Sequence, residues 1–475
     1  MAKCSFGRVS LHGLFDPIWP VGTDIFARLI YINSNGNEVL LAAMDTLCTY
    51  RSDTIVFREH VSALTGIPAD NIWYHELQTH ATPDWDALTG QPTVNIAEAV
   101  GKEVLAMKER AVEFTCEVAE VYAGMKYTVN REQYVHGLGG VTVWLGLDYE
   151  ENGRVYSKRP SQMLLRGYDP KLPVYDKPIY FDNPVDPRAY LFVFRDTAGK
   201  VIGTVSRFAA HPDVAVLFEH LGGSDYHYNY DWPGYLSEKL ETEFDAPSMY
   251  INGPCANLAT KKRTDDQNNY EKSAKECKRI GEEIADMLLA GYYKKTVAFG
   301  DTENCKTKRF TIELPLQEDF PHSKEEYDDW AEREKAIEAE LQQAIAEDAP
   351  AYRIKSLIDE RWKVNARLHH VYSIAKTEPE AFTRRTFTVD VLALRLGDYL
   401  FIGVPGESMV EMTEFLCANF TGVKTIPLDQ CNGYHDYFAT PASLTLGGYT
   451  YWQSWLSREA IPMMKDRIMA ELSDF

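Results

Sequence analysis

The sequence predicts an α/β fold on three observations. Short runs of β-branched and aromatic residues alternate with stretches whose apolar residues recur at helical spacing. Several of the strand-like runs stop at polar residues beside a proline, as Val201–Ala210 does at His211-Pro212-Asp213. The chain is also long, 475 residues at 45% hydrophobic. That length suits one large α/β domain with insertions, or about two to four smaller ones.

Charge narrows the partners. Lys and Arg number 49 against 70 Asp and Glu, a formal charge of -21 with a pI near 5.1. Nucleic acid and anionic membrane surfaces both need a basic footprint, so neither is an expected partner. The opening MAKCSFGRVSLHG lacks a basic segment followed by an apolar run, and no apolar stretch is long enough to suggest a spanning helix. The eight cysteines are scattered singly, which suits reduced thiols and a cytoplasmic location.

The first elements are a hairpin, Ile25–Ile32 and Val39–Met44, joined by the turn NSNGN and ending at Asp45. A helix is expected over Asp53–Leu64, stopped by Gly66, and a strand over Asn71–Leu77, running out at His80 before Pro83. Ile96–Val121 reads as one long amphipathic helix. Tyr127–Gly140 reads as a loop containing Arg131, and Pro160–Pro187 as a connecting loop. Ala189–Phe194 and Val201–Ala210 form a second hairpin. Asp231-Trp232-Pro233 carries helix start signals, and the strand Ser248–Ile251 meets a turn-rich NGPCAN. Lys272–Leu289 is amphipathic. Residues 323–376 are charged with helical apolar spacing on either side of Asp348-Ala349-Pro350, and predict an inserted helical hairpin. Its charge is ordinarily a solvated face; a partner or lid role, or contact with a second copy of the chain, is the alternative reading. Phe387–Leu396 and Tyr399–Val404 pair and end at Glu407, Val423–Leu428 follows, and Arg458–Leu472 is the last helix.

Three strands thus end near His80, His211 and Glu407. Two histidines and a carboxylate are the donor set of many catalytic zinc sites. They lie far apart in sequence, so spacing gives no support. The pattern leaves three readings open: metal ligands, a His/Glu acid–base pair, or structural hydrogen bonds.

Eight segments in order carry a resemblance: FGRVSLHGLFDPIWPVG, TGIPADNIWYHELQTHATP, VNREQ, RFAAHPD, DWPGY, NGPCANLA, VPGE and YHDYFATP, with GGY following. The chain resembles the catalytic N-terminal domain of the neutral/alkaline ceramidases and their bacterial relatives, a zinc amidohydrolase family. The resemblance implies central mixed β-sheets flanked by helices, in one catalytic domain over residues 1–475 with the hairpin inserted. It implies zinc held by His80, His211, Glu407 and Tyr437, with zinc-bound water attacking an amide carbonyl. Tyr449 and Arg131 match active-site residues suited to an oxyanion or carbonyl. Asn257, Thr82 and His435 fall at positions that would face substrate, and His435, Asp436 and Asp45 are the general-base candidates.

The departures matter equally. Thr82 stands where the family has a second histidine, Ala259 where it has a serine, and Asn257 where it has an aspartate. Cys255 lies near, but nothing pairs it with a base. No C-terminal immunoglobulin-like domain follows GGY. The expected function is zinc-dependent hydrolysis of the C–N bond of an N-acyl compound smaller or more polar than ceramide. An ester or lactone hydrolase is one alternative, and a non-catalytic partner-binding protein with a vestigial metal site is the other.

Overall fold

The computed structural model describes residues 2–136, 139–142, 149–151, 154–157, 179–216, 225–261 and 269–475. Most of the loop expected over Pro160–Pro187 lies outside them.

In chain order the main elements are β1 (Lys3–Ser10), β2 (Phe26–Ser34), β3 (Asn37–Met44), α1 (Arg51–Thr65), β4 (Ile72–Glu76), α2 (Gln91–Arg110) and β5 (Val112–Tyr122). Then come β6 (Arg188–Asp196), β7 (Val201–Phe208), α3 (Asp231–Phe244), β8 (Ser248–Asn252) and α4 (Tyr270–Lys294). The last part holds β9 (Cys305–Pro315), α5 (Tyr327–Ala346), α6 (Ala351–Thr377), β10 (Thr386–Leu396), β11 (Tyr399–Gly403), β12 (Lys424–Leu428) and α7 (Ala460–Leu472).

The larger sheet runs β8-β7-β6-β5-β1-β2-β3-β4, with Val297–Ala298 added beside β5. It is mixed: β3–β4 and β7–β8 are parallel, the other pairs antiparallel. Its two halves join through Lys3↔Glu113 and Cys4↔Val112 alone, so the sheet can curl at that seam. A second sheet runs β9-β10-β11-β12.

Alternation along the strands sets the layers. On β2, Leu29 and Tyr31 pack with Phe57 and Val61 of α1 and Ile96, Val100 and Val104 of α2. Their neighbours Ile30 and Ile32 face Leu394 and Leu396 of the second sheet. On β10, Val389 and Val391 turn the other way, onto Met464 and Ile468 of α7. The layers are therefore helix, sheet, sheet, helix, with two-fold side-chain periodicity feeding each interface.

The long helix expected over Ile96–Val121 is a correction. The helix ends at Arg110, Ala111 is extended, and Val112–Tyr122 is a central strand. Phe114, Cys116 and Val118 alternate inward there, a period of two that a helix-spaced reading of alanine, glutamate and valine masks. The inserted hairpin is as expected. Asp348 takes φ 51°, Pro350 caps α6, and Ile337, Leu341, Ile354 and Leu357 close the seam.

Candidate metal centre

The strand ends do meet. His80 lies four residues beyond β4, His211 three beyond β7, and Glu407 four beyond β11. The first two strands belong to the larger sheet and the third to the second sheet, so the site sits where the two sheets' ends converge. Glu407 is held by a short parallel pairing, Glu407↔Tyr437, which brings the fourth expected ligand beside it. Gly406, at φ 60°, makes the turn into this pairing; a Cβ there would strike the Phe438 ring.

His211 is the best-defined donor. Its Nδ1 lies 2.8 Å from the Cys255 carbonyl and 3.1 Å from that of Leu258, so Nδ1 carries the ring's proton and donates there. Nε2 is left with its lone pair, 3.2 Å from Glu407 Oε2. Lone pair facing carboxylate is repulsive unless a positive charge sits there, as a proton, a metal ion or the guanidinium of Arg131, whose NH2 lies 3.2 Å from Nε2. Burial alone would raise the Glu407 carboxyl, yet a proton on His211 Nε2, where present, and the Arg131 guanidinium beside it hold it below the usual range. The ring centre of His80 is 5.8 Å from that of His211, and its Nε2 is shut off from solvent. Burial pushes His80 down to about 3, so it is a neutral donor at pH 7. The Tyr437 phenol is raised, first by burial and against the pull of Arg131, so without a metal it keeps its proton.

Arg131 stands inside this group. Its side chain is 1% exposed, and NH2 donates to the Tyr437 hydroxyl at 2.7 Å and to the Ala256 carbonyl at 2.6 Å. The same nitrogen is 3.2 Å from His211 Nε2. Burial would weaken the guanidinium, but Tyr437, Tyr449 and Glu407 keep it more firmly charged. Tyr449, at the start of the helix Tyr449–Gln453, sets its ring edge-on to Tyr437 with centres 5.3 Å apart and lies under the guanidinium. Among the described residues, no three His, Cys, Asp or Glu side chains alone gather at metal-binding separation. Two imidazoles, a carboxylate and a phenol are donor types that zinc accepts, but His80, His211 and Glu407 are not drawn to metal-binding separation, and Arg131 stands against His211 and Tyr437.

The three expected substrate contacts are engaged elsewhere. Thr82 donates its hydroxyl to the Thr79 carbonyl and shapes the loop before Pro83. Asn257 spends both ends of its amide on the helix Val410–Asn419, accepting from Val410 N at 3.0 Å and donating to Glu411 at 3.2 Å. His435 is boxed in by Phe387, Phe438 and Trp455, and burial pushes it down to about 3. Of the other base candidates, Asp45 is bound to Arg28 at 2.6 Å. Asp436, pushed up to about 7 chiefly by burial, remains close to the site through Tyr434. The Cys255 thiol is fully buried and raised well above its usual value, which makes it inert.

Two contributors escape sequence reasoning. Tyr434 donates to Glu407 Oε1 at 2.9 Å and lies 3.1 Å from Asp436 Oδ1. Asp213 favours the charged form of His80. Their only sequence signal is proximity, Tyr434 three before Tyr437 and Asp213 two after His211.

No protein-family model matches the sequence, and no curated protein matches it either. Solved structures do match. The chain is similar to neutral ceramidase from Pseudomonas aeruginosa, with a TM-score of 0.63 and 12% identity over 98% of this chain and 73% of that one. It is similar to a ceramidase complexed with C2, with a TM-score of 0.61 and 11% identity over 98% of this chain and 74% of that one. At such identity the likeness speaks for architecture. The chain therefore has a neutral ceramidase-like fold, a mixed α/β arrangement around a large central sheet.

Proposed function

We propose that this chain is a zinc-dependent hydrolase that cleaves the C–N bond of an N-acyl compound smaller or more polar than ceramide. The observation that carries the reading is the His211 lone pair facing the Glu407 carboxylate at 3.2 Å, in a ceramidase-like fold. His80, His211, Glu407 and Tyr437 would hold the ion, which when bound supplies a Lewis acid and a water of lowered pKa. Arg131 and Tyr449 orient the amide carbonyl and donate to the oxygen that gains charge, in a dry site where such donors act strongly. Asp436 takes or returns a proton at a carboxyl raised to about 7, near the ambient pH. Ala259 and the inert Cys255 leave the attack to water rather than to a side chain. The rebuilt surroundings at Thr82 and Asn257 support a substrate other than ceramide.

The test is elemental analysis of the full chain purified without added metal, beside His211→Ala, followed by a screen of N-acyl amides. About one zinc per chain, lost in the variant together with amide hydrolysis, is the expected result. Retention of zinc or activity by the variant overturns it.

One observation favours a second reading, a partner-binding protein with a vestigial site. Arg131 already supplies a cation against Tyr437 and His211. On this reading the guanidinium does permanently what zinc does in the first.

A further inference from the structure

A cleft of about 290 Å³ opens between the first turn of α1, the end of α6 and the start of β10. Its floor is aromatic and buried, formed by Tyr50, Phe387 and Trp455. Its rim carries charge of both signs. Arg51 donates Nε to Asp390 at 2.7 Å, and its two terminal nitrogens make no hydrogen bond to a described residue. Asp390 also faces Arg58, at 3.9 Å, and Arg309, which reaches Asp70 at 2.9 Å. Three guanidiniums thus share two carboxylates, a local surplus of positive charge in a chain of formal charge -21. The crowding shows on Arg58, lowered to about 10 by burial first and then by Arg309 and Arg51. Elsewhere on the rim, Glu378 is held by Arg384 and Thr388, whereas Glu380 pairs with no cation among the described residues.

We propose that this cleft binds a small amphipathic zwitterion, an aromatic amino acid, with its carboxylate on Arg51, its ammonium on Glu380 and its ring on Phe387 and Trp455. A guanidinium fork matches a carboxylate, and two uncommitted terminal nitrogens permit the bidentate contact. A carboxylate there also relieves the positive surplus around Asp390. Glu380 supplies the opposite charge without breaking an existing ion pair. The volume lies just below the usual range for small-molecule sites, about 300–1,000 Å³, which suits one amino acid and not a lipid with two chains. Tyr434 forms part of the wall, and its hydroxyl donates to Glu407 Oε1 at 2.9 Å. His80, His211, Glu407 and Tyr437 do not line the cleft. The site therefore adjoins the candidate centre and stands whether or not a metal is bound there.

The test is isothermal titration calorimetry on the full chain with L-phenylalanine as the probe, in chelator so that no metal contributes. Hydrocinnamate lacks the ammonium, and phenethylamine lacks the carboxylate. The expected result is saturable binding of one phenylalanine per chain. Phenethylamine should bind about 10- to 100-fold more weakly, the worth of hydrogen bonds to charge, and hydrocinnamate about 5-fold more weakly, the upper worth of an exposed ion pair. Arg51→Gln should weaken phenylalanine and leave phenethylamine unchanged, with the thermal midpoint as a control because Asp390 loses a partner. Glu380→Ala, on an exposed side chain, should weaken phenylalanine about 5-fold and leave hydrocinnamate unchanged. No saturable binding of phenylalanine, an analogue bound as tightly as phenylalanine, or parental affinity in a folded Glu380→Ala overturns the inference.

Discussion

Replacing Arg131 with methionine separates the two functional readings. The guanidinium is 1% exposed and its NH2 alone touches Tyr437, Ala256 and His211, with Glu407 in its field. Methionine fills much of the volume and removes the charge. Stranding a buried partner charge in this way typically costs about 3–5 kcal/mol. In chelator, Arg131→Met should therefore unfold at clearly lower urea than the parent, followed by tryptophan fluorescence. If zinc belongs among His80, His211, Glu407 and Tyr437, the ion restores the missing charge. At a free concentration of about 1,000 times its Kd, a ligand that binds only the folded state adds about 4 kcal/mol, close to the whole loss. The variant should then recover nearly parental stability in zinc while hydrolysing amides poorly, because the oxyanion donor is gone. Parental stability in chelator, or no response of the variant to zinc, refutes the reasoning. The second outcome also turns the search to partners of a vestigial site.

The remaining predictions are shorter. His75 is fully buried and its Nε2 accepts from Asn252 N at 3.0 Å, while burial pushes its pKa down to about 3. Folded below unfolded means that stability is present above about pH 6.5 and is lost as pH falls toward 3, by at most about 1.4 kcal/mol per unit for this group. His75→Gln should flatten part of that acid decline in pH-dependent urea midpoints, and an unchanged slope would refute the assignment. Asp436 runs the other way. Its carboxyl is raised, so in the zinc-free chain it should subtract stability as pH climbs from about 4 to 7, and Asp436→Asn should abolish that portion. With zinc present, an N-acyl amide should be hydrolysed and its matched ester should be cleaved at least as fast. Ester cleavage with an inert amide would favour the ester hydrolase.

What the sequence made legible was the set of places where apolar runs stop. Pro83, Pro212 and Pro405 each end or follow a strand near a polar side chain, which marked His80, His211 and Glu407 before any fold was known. Tyr437 and Arg131 needed a family resemblance, because neither a tyrosine in a loop nor an arginine after a short strand has a local signature. The resemblance also placed Asn257 and His435 near substrate, but their side chains turn to a helix start and an aromatic box. Those partners, Val410 and Phe387, come from other parts of the chain, and one-dimensional patterns do not carry such packing. The same reason hides strand β9, which depends on pairing with β10. Ile96–Val121 failed on periodicity itself, because a helix and a central strand abut with only Ala111 between them.

The candidate centre draws on residues 80, 131, 211, 407, 437 and 449. No contiguous half of the chain contains it. During synthesis His80 must wait for Tyr437 to emerge, and such distant pairings are the slow ones to close. Metal capture would then be the last event of maturation, and a zinc-loaded molecule a certificate that every layer had docked. If zinc is held there, a nick between the two sheets should release it before it visibly melts either one.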